Sequence, residues 1–242
     1  MAKHCPSRFV PFGASVVLLA GAATAHAELT GNVGVSNNYI WRGVTQTNDE
    51  PAVSGGIDYA HESGFYAGTW ISNVDFSDTT TASDSSPASK NEIEQDWYVG
   101  YGGAVSDFSY DLGYALFTYP LSDNADFGEV YGSVGYSYLS VGAAYTVNSQ
   151  VEGESQFMEG DLYYSATLDI PIAGDFGVSA TYGHYEFDEV SDASYDHYNL
   201  YLTKGNFSFG VEKNDQDGEY PAGKDADDPR VVVSWSHSTD LL

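Results

Sequence analysis

The side chains in this chain that could do chemistry are mostly carboxylates. Asp and Glu number 35 against 8 Lys and Arg, a formal charge of −27. So acidic a balance excludes a grip on a phosphate backbone, which needs a basic footprint. Six histidines, among them His184, His197 and His237, show no H-E-x-x-H spacing or other ligand pattern, so no metal centre is expected. The run Asp215-Gln216-Asp217-Gly218-Glu219, then Asp225, Asp227 and Asp228, offers oxygen ligands. It lacks the Gly at position 6 and Glu at position 12 of a calcium-binding EF-hand. A solvated acidic loop and a loop bridged to lipopolysaccharide by divalent cations both stay open. His184 and Ser179 lie on adjacent segments, but a hydrolytic site also needs a base and an orienting group beside the nucleophile. No catalytic residue and no cofactor are expected.

Seven further charges stand out: Arg42, Glu94, Asp96, Glu129, Asp161, Glu212 and Arg230. Their role depends on the elements that carry them. Leu29, Val33, Val35, Tyr39 and Trp41 fall on odd positions, with Thr30, Asn32, Ser36 and Asn38 between them. This period-2 alternation predicts a strand over 29–41 with one apolar and one polar face. Phe108, Tyr110, Leu112, Tyr114 and Leu116 repeat it against Ser109, Asp111, Gly113 and Ala115. Leu162, Tyr164, Ala166, Leu168 and Ile170 repeat it again against Asp161, Ser165, Thr167 and Asp169. Twelve such segments run along the chain, and the connections between them alternate long and short without exception.

A soluble sandwich has no reason to keep its long loops at one end, because Greek-key crossovers mix lengths. An up-and-down antiparallel β-barrel in the bacterial outer membrane has that reason: short periplasmic turns, long outer loops and an even strand number. The expected fold is therefore an all-β transmembrane barrel of twelve strands, with the last strand paired to the first so that no edge meets lipid. Most acidic residues fall in the long loops. Aromatics gather at strand ends: Tyr39, Trp41, Tyr145, Tyr182 and Tyr198 at the outer side, and Tyr59, Phe65, Phe108, Tyr136, Phe176 and Phe207 at the other. Such rings prefer the headgroup level.

The first 27 residues differ in kind. Lys3 and Arg8 precede the apolar run Val16-Val17-Leu18-Leu19-Ala20, and Ala25-His26-Ala27 follows. This is the pattern of a secretory signal peptide cleaved before Glu28. The leader would take away Cys5, the chain's one cysteine, leaving 28–242 as a single barrel domain without disulfides.

The run Asn32-Val33-Gly34-Val35-Ser36-Asn37-Asn38-Tyr39-Ile40-Trp41-Arg42-Gly43-Val44-Thr45-Gln46 resembles the opening signature of the TorF family of porins, also catalogued as a proteobacterial conserved hypothetical family. Gly64-Phe65-Tyr66-Ala67-Gly68-Thr69-Trp70, Tyr98-Val99-Gly100-Tyr101 and Arg230-Val231-Val232-Val233-Ser234 are similar to further parts of it. The resemblance implies an outer-membrane barrel with a porin label and no established substrate. The end, Asp240-Leu241-Leu242, departs from outer-membrane proteins generally in lacking a final aromatic.

In such a barrel the polar face lines the lumen, and the seven charges lie near its outer mouth. Arg42 would end the first strand and Arg230 begin the last, with Glu129 half-way round the ring and Glu94 and Asp161 between. Arginines on one wall and carboxylates on the other predict a transverse field in an acidic funnel, and acidic rings favour cations. The same residues paired as salt bridges would instead plug a narrow barrel. The function expected is passive diffusion of small hydrophilic solutes or ions. An outer-membrane lipid-modifying enzyme and a soluble periplasmic barrel binding an apolar ligand are the alternatives. Lipid and lipopolysaccharide are the expected surroundings; whether copies associate is not legible.

Overall fold

A computed structural model describes residues 27–75, 93–122, 124–153, 155–217, 219–220 and 224–242. The leader through residue 26, and Asp78, Asp84, Glu92, Asp123 and Glu154 of the long loops, lie outside the described residues.

The alternating segments form strands β1 (Glu28–Ser36), β4 (Ala52–Ala60), β5 (Phe65–Asn73), β6 (Ile93–Val105), β7 (Phe108–Thr118), β8 (Phe127–Tyr136), β9 (Leu139–Ser149), β10 (Leu162–Ile172), β11 (Phe176–Glu186), β12 (Tyr195–Lys204), β13 (Phe207–Asn214) and β16 (Arg230–Asp240). Each pairs antiparallel with its chain neighbour, and β16 closes on β1 from Thr30↔Asp240 to Ser36↔Ser234. The result is the expected closed twelve-stranded barrel, in which each strand has a neighbour on both sides and the sheet has no free edge strand. Tight connections such as 106–107, 137–138 and 205–206 occupy one end, and the long loops the other.

The barrel wall is apolar outside, and its inward strand positions are largely polar, with an aromatic cluster filling the long-loop end. Leu112 is 62% exposed while its neighbour Asp111 is 7% exposed; Val211 and Glu212 are 41% and 5%. This inverts the usual arrangement, in which charged residues are almost never buried unless paired. Outward charges such as Asp196, Lys204 and Lys213 stand near strand ends.

The first strand departs from expectation. It stops at Ser36, and the alternation through Trp41 belongs to a separate hairpin, β2 (Ile40–Trp41) with β3 (Val44–Thr45), turned into the barrel. Asn37 makes the break. Its side chain donates to Val231 O at 2.9 Å and accepts from Val233 N at 2.6 Å, taking over the ladder on β16 while the backbone leaves. The hairpin tip, Arg42 at φ 49° and Gly43 at φ 83°, has the paired positive φ angles that match the twist of two-residue hairpins. Tyr39 and Trp41 are therefore not girdle residues: they are 1% and 6% exposed inside the lumen. Tyr145, Tyr182 and Tyr198 do face outward. A second small hairpin, β14 (Glu219–Tyr220) with β15 (Lys224–Asp225), and a 3-10 turn over Ser191–Ala193 complete the long-loop end.

Candidate functional site

The inward hairpin builds the site, because it brings the first long loop against barrel walls otherwise out of its reach. Beneath it, Trp41 packs on Phe117, Phe127, Phe157 and Tyr185, with ring centroids 5.5, 6.2, 5.8 and 6.0 Å away. Two carboxylates on the wall receive the polar side of the hairpin. Glu94 on β6 accepts hydrogen bonds from the hydroxyls of Tyr39 at 2.7 Å and Tyr119 at 2.8 Å. Glu129 on β8 takes both guanidinium nitrogens of Arg42, at 2.7 and 2.6 Å, and the Tyr185 hydroxyl at 3.2 Å. The same guanidinium stacks over the rings of Trp41 at 4.2 Å and Tyr163 at 4.1 Å. Planar geometry allows an arginine to do both at once.

Burial pushes the Tyr39 and Tyr119 phenols well above their ordinary value, and the Glu94 carboxylate adds to the effect. Burial alone would lower the Arg42 guanidinium, but the facing Glu129 reverses that and raises it. Arg42 is therefore a permanent cation locked to a wall carboxylate.

Arg230 and Asp161 serve the loops. The Nε of Arg230 donates to Asp49 at 2.7 Å, and its Nη1 donates to the carbonyls of both Ala226 and Asp228, at 2.8 and 2.9 Å. Asp161 precedes β10 and accepts from the backbone N–H of Met158 and Asp188, both at 2.9 Å. Its carboxyl is raised by burial, against the pull of those amides. Glu212 on β13 accepts from the Tyr201 hydroxyl, and Asp96 on β6 is 3% exposed.

All seven sequence-selected charges are largely buried, but they do not form two opposed walls. The separated transverse field is replaced by direct pairing: Arg42 sits at the tip of the inward hairpin rather than at the end of the first strand, and its reach carries it across to Glu129. His184 faces outward and bonds Asp196 at 2.7 Å, whereas Ser179 has the opposite, inward parity on β11. Asp225, Asp227 and Asp228 bring carboxylate oxygens within 4.8 Å of one another, all exposed, and Lys213 lies 3.3 Å from Asp227.

Deeper in the barrel lie residues the sequence analysis did not single out for function. The Tyr66 hydroxyl donates to Asp111 at 2.8 Å and meets the Tyr131 hydroxyl at 2.6 Å; the Tyr98 hydroxyl bonds Asp58. Tyr163 meets His197 Nε2 at 2.9 Å. The signal was present, since these tyrosines sit at the polar parity of their strands. Counting Tyr as an apolar residue hid it.

Residues 20–238 match the model of a family described as a bacterial protein of unknown function, Gcw_chp. The chain belongs to this family. No characterised protein sequence compared with it matches. Among solved structures, this Gcw_chp member resembles the KdgM porin at TM-score 0.54 and 13% identity, over 87% of this chain and 99% of that one. The KdgM porin in complex with disordered oligogalacturonate matches at TM-score 0.50 and 12% identity, over 88% and 99%. A protein from work on in-meso crystallization of membrane proteins matches at 0.52 and 9%, over 88% and 84%. At these identities the likeness concerns the fold: a twelve-stranded barrel of porin type.

Proposed function

We propose that this Gcw_chp member is an outer-membrane channel for passive diffusion of small hydrophilic solutes, with a preference for cations. The observation that carries the reading is the inversion of the barrel, with apolar residues such as Leu112 outside and carboxylates such as Asp111 inside. A surface of that kind suits acyl tails, and a lumen of that kind suits water. The porin-type fold and the resemblance of residues 32–46 to the TorF signature support it. Residues 1–27 are a leader removed on export, and the long acidic loops face outward among lipopolysaccharide. The inward hairpin narrows the outer mouth, so the size limit is set at Arg42, Glu94 and Glu129, with Asp96, Asp161, Glu212 and Arg230 around them.

The oligogalacturonate bound by the KdgM porin is a poor guide to the solute here. A polyanion needs uncommitted cations along its path, and Arg42 and Arg230 are both matched to carboxylates. Lys204 and Lys213 both face outward.

Planar-bilayer recording of the refolded protein tests the reading. Discrete single-channel steps in KCl, with a reversal potential on the cation side, are the expected result. Neutralising Glu94, Asp96 and Glu129 together should move that potential toward zero. Absence of steps from correctly folded protein rejects the channel, and an unmoved potential rejects the selectivity.

A further inference from the structure

Below the hairpin, four inward tyrosines each stand directly across from a glycine: Tyr66↔Gly100, Tyr98↔Gly68, Tyr131↔Gly113 and Tyr201↔Gly210. A Cβ at any of the four glycines would overlap the phenol opposite it. The missing side chain is what lets each ring lie along the wall, as glycine does wherever another group must approach the backbone closely. Three of the hydroxyls end on carboxylates, Asp111, Asp58 and Glu212, and the fourth on Tyr66. With hydroxyl edges committed along the wall, the ring faces are what remains for a passing solute. Aromatic faces carry negative charge density and attract cations, most strongly where water is scarce.

Directly above Tyr98 on the same face of β6 is Asp96. Its register partners are Trp70 on β5 and Phe117 on β7. Antiparallel partners place their side chains side by side on one face. Asp96 is 3% exposed, and its Oδ1 has no hydrogen-bond partner. A buried carboxylate oxygen without a donor is costly, and native structures seldom leave one so. A cation bringing N–H donors would supply the partner that this oxygen lacks. A hard metal ion fits less well, because it needs several oxygens converging at once. Among the described residues the group that converges in that way is Asp225, Asp227 and Asp228, far along the chain.

We propose that the lumen binds organic cations bearing a primary ammonium group, with Asp96 as the anionic acceptor and the wall-laid tyrosines as the aromatic track leading to it. The ammonium donates to the free Asp96 oxygen while its alkyl portion and residual charge lie against the ring faces. The one guanidinium nearby, Arg42, is already matched to Glu129, so anionic solutes gain no free cation there, and neutral sugars lack the charge that Asp96 requires. Permeation of such amines rests on the channel reading above, whereas binding to the folded barrel does not.

The test is calorimetric titration of 1,4-diaminobutane into the full-length barrel in detergent micelles, with glucose and galacturonate as matched controls and conductance in KCl recorded separately. The expected result is saturable binding of the diamine alone. Asp96→Asn should weaken it at least tenfold, Tyr98→Leu similarly, and Tyr98→Phe less than threefold because it keeps the ring. Folding of each variant is read from heat-modifiable gel mobility, and Tyr98→Leu stands in should Asp96→Asn not fold. Diamine binding without conductance supports the cation site and defeats the channel. Conductance without diamine binding, equal binding of glucose, or an unchanged affinity in folded Asp96→Asn overturns the proposal.

Discussion

The Arg42 guanidinium and the Glu129 carboxylate, 87 residues apart in sequence, meet through two parallel hydrogen bonds of 2.7 and 2.6 Å. This pair fastens the tip of the inward hairpin to the opposite wall. Glu129 is 1% exposed, so removing Arg42 leaves it with the Tyr185 hydroxyl at 3.2 Å as its main support.

Breaking a buried ion pair from one side costs about 3–5 kcal/mol, because the remaining charge is stranded. Arg42→Ala and Glu129→Gln should each lower the unfolding free energy by about that amount. The double variant should recover most of it, since neither charge is left behind. Denaturant titration of the refolded barrel measures all three. Single-channel conductance should rise in Arg42→Ala as the hairpin loses its anchor. Additive losses in the double variant would mean that the pair does not act as a unit.

Gly43, beside Arg42, adopts φ 83°, and a Cβ there would overlap the Cβ of His197. Its carbonyl also accepts from Asn214 Nδ2 at 2.7 Å, so the tip cannot move away freely. Left-handed backbone costs a residue with a side chain about 1–2 kcal/mol. Gly43→Ala bears that cost and the overlap together. Gly205→Ala, at φ 55° with nothing within 4 Å of a new Cβ, bears the backbone cost alone. Gly43→Ala should therefore melt below Gly205→Ala in parallel thermal scans. Equal melting points would show that the hairpin is not held against β12.

How much of this was legible follows from which signals are local. Strand number, order and closure could be read because alternation such as Phe108 to Leu116 has period 2 and the connections alternate in length. The inward hairpin could not. Tyr39, Ile40 and Trp41 continue a β-like pattern, and alternation reports strand conformation without saying which sheet the strand joins. The decisive event is Asn37 filling the ladder on β16, a contact across 196 residues. Once the hairpin turns in, Tyr39 and Trp41 change from rim aromatics to core, and Arg42 moves from the end of the first strand to the hairpin tip beside Glu129. The tyrosine band was hidden for a different reason: at Tyr66, Tyr98 and Tyr131 the amphipathic phenol occupies polar parity, and its place is set by the glycine across from it.

Arg230 lies at the closing seam, where it joins the hairpin through Asp49 to the last long loop through the carbonyls of Ala226 and Asp228. Arg230→Ala removes these links together but leaves the backbone pairing of β16 with β1 and β13 intact. The barrel should keep its heat-modifiable mobility, while proteinase K cuts within 215–229 at least several-fold faster than in the parent. Protection equal to the parent would mean that the loop is held by other contacts.

The apolar outer belt admits a direct test through one pair of substitutions. Leu112 and Ser133 lie on neighbouring strands near mid-barrel, one facing out and the other facing in beside Asp111. An arginine facing lipid near the bilayer midplane costs about 2–4 kcal/mol, whereas lumen substitutions chiefly alter selectivity. Leu112→Arg should lose that much stability on refolding into vesicles. Ser133→Arg should lose little, because its guanidinium meets the Asp111 carboxylate, and it should shift ion preference toward anions. In a water-soluble barrel Leu112→Arg would sit on a solvated surface, where such changes stay within about 0.5 kcal/mol. Equal stability of the two variants, or folding of Leu112→Arg in buffer without lipid or detergent, would remove the membrane from the account and the channel with it.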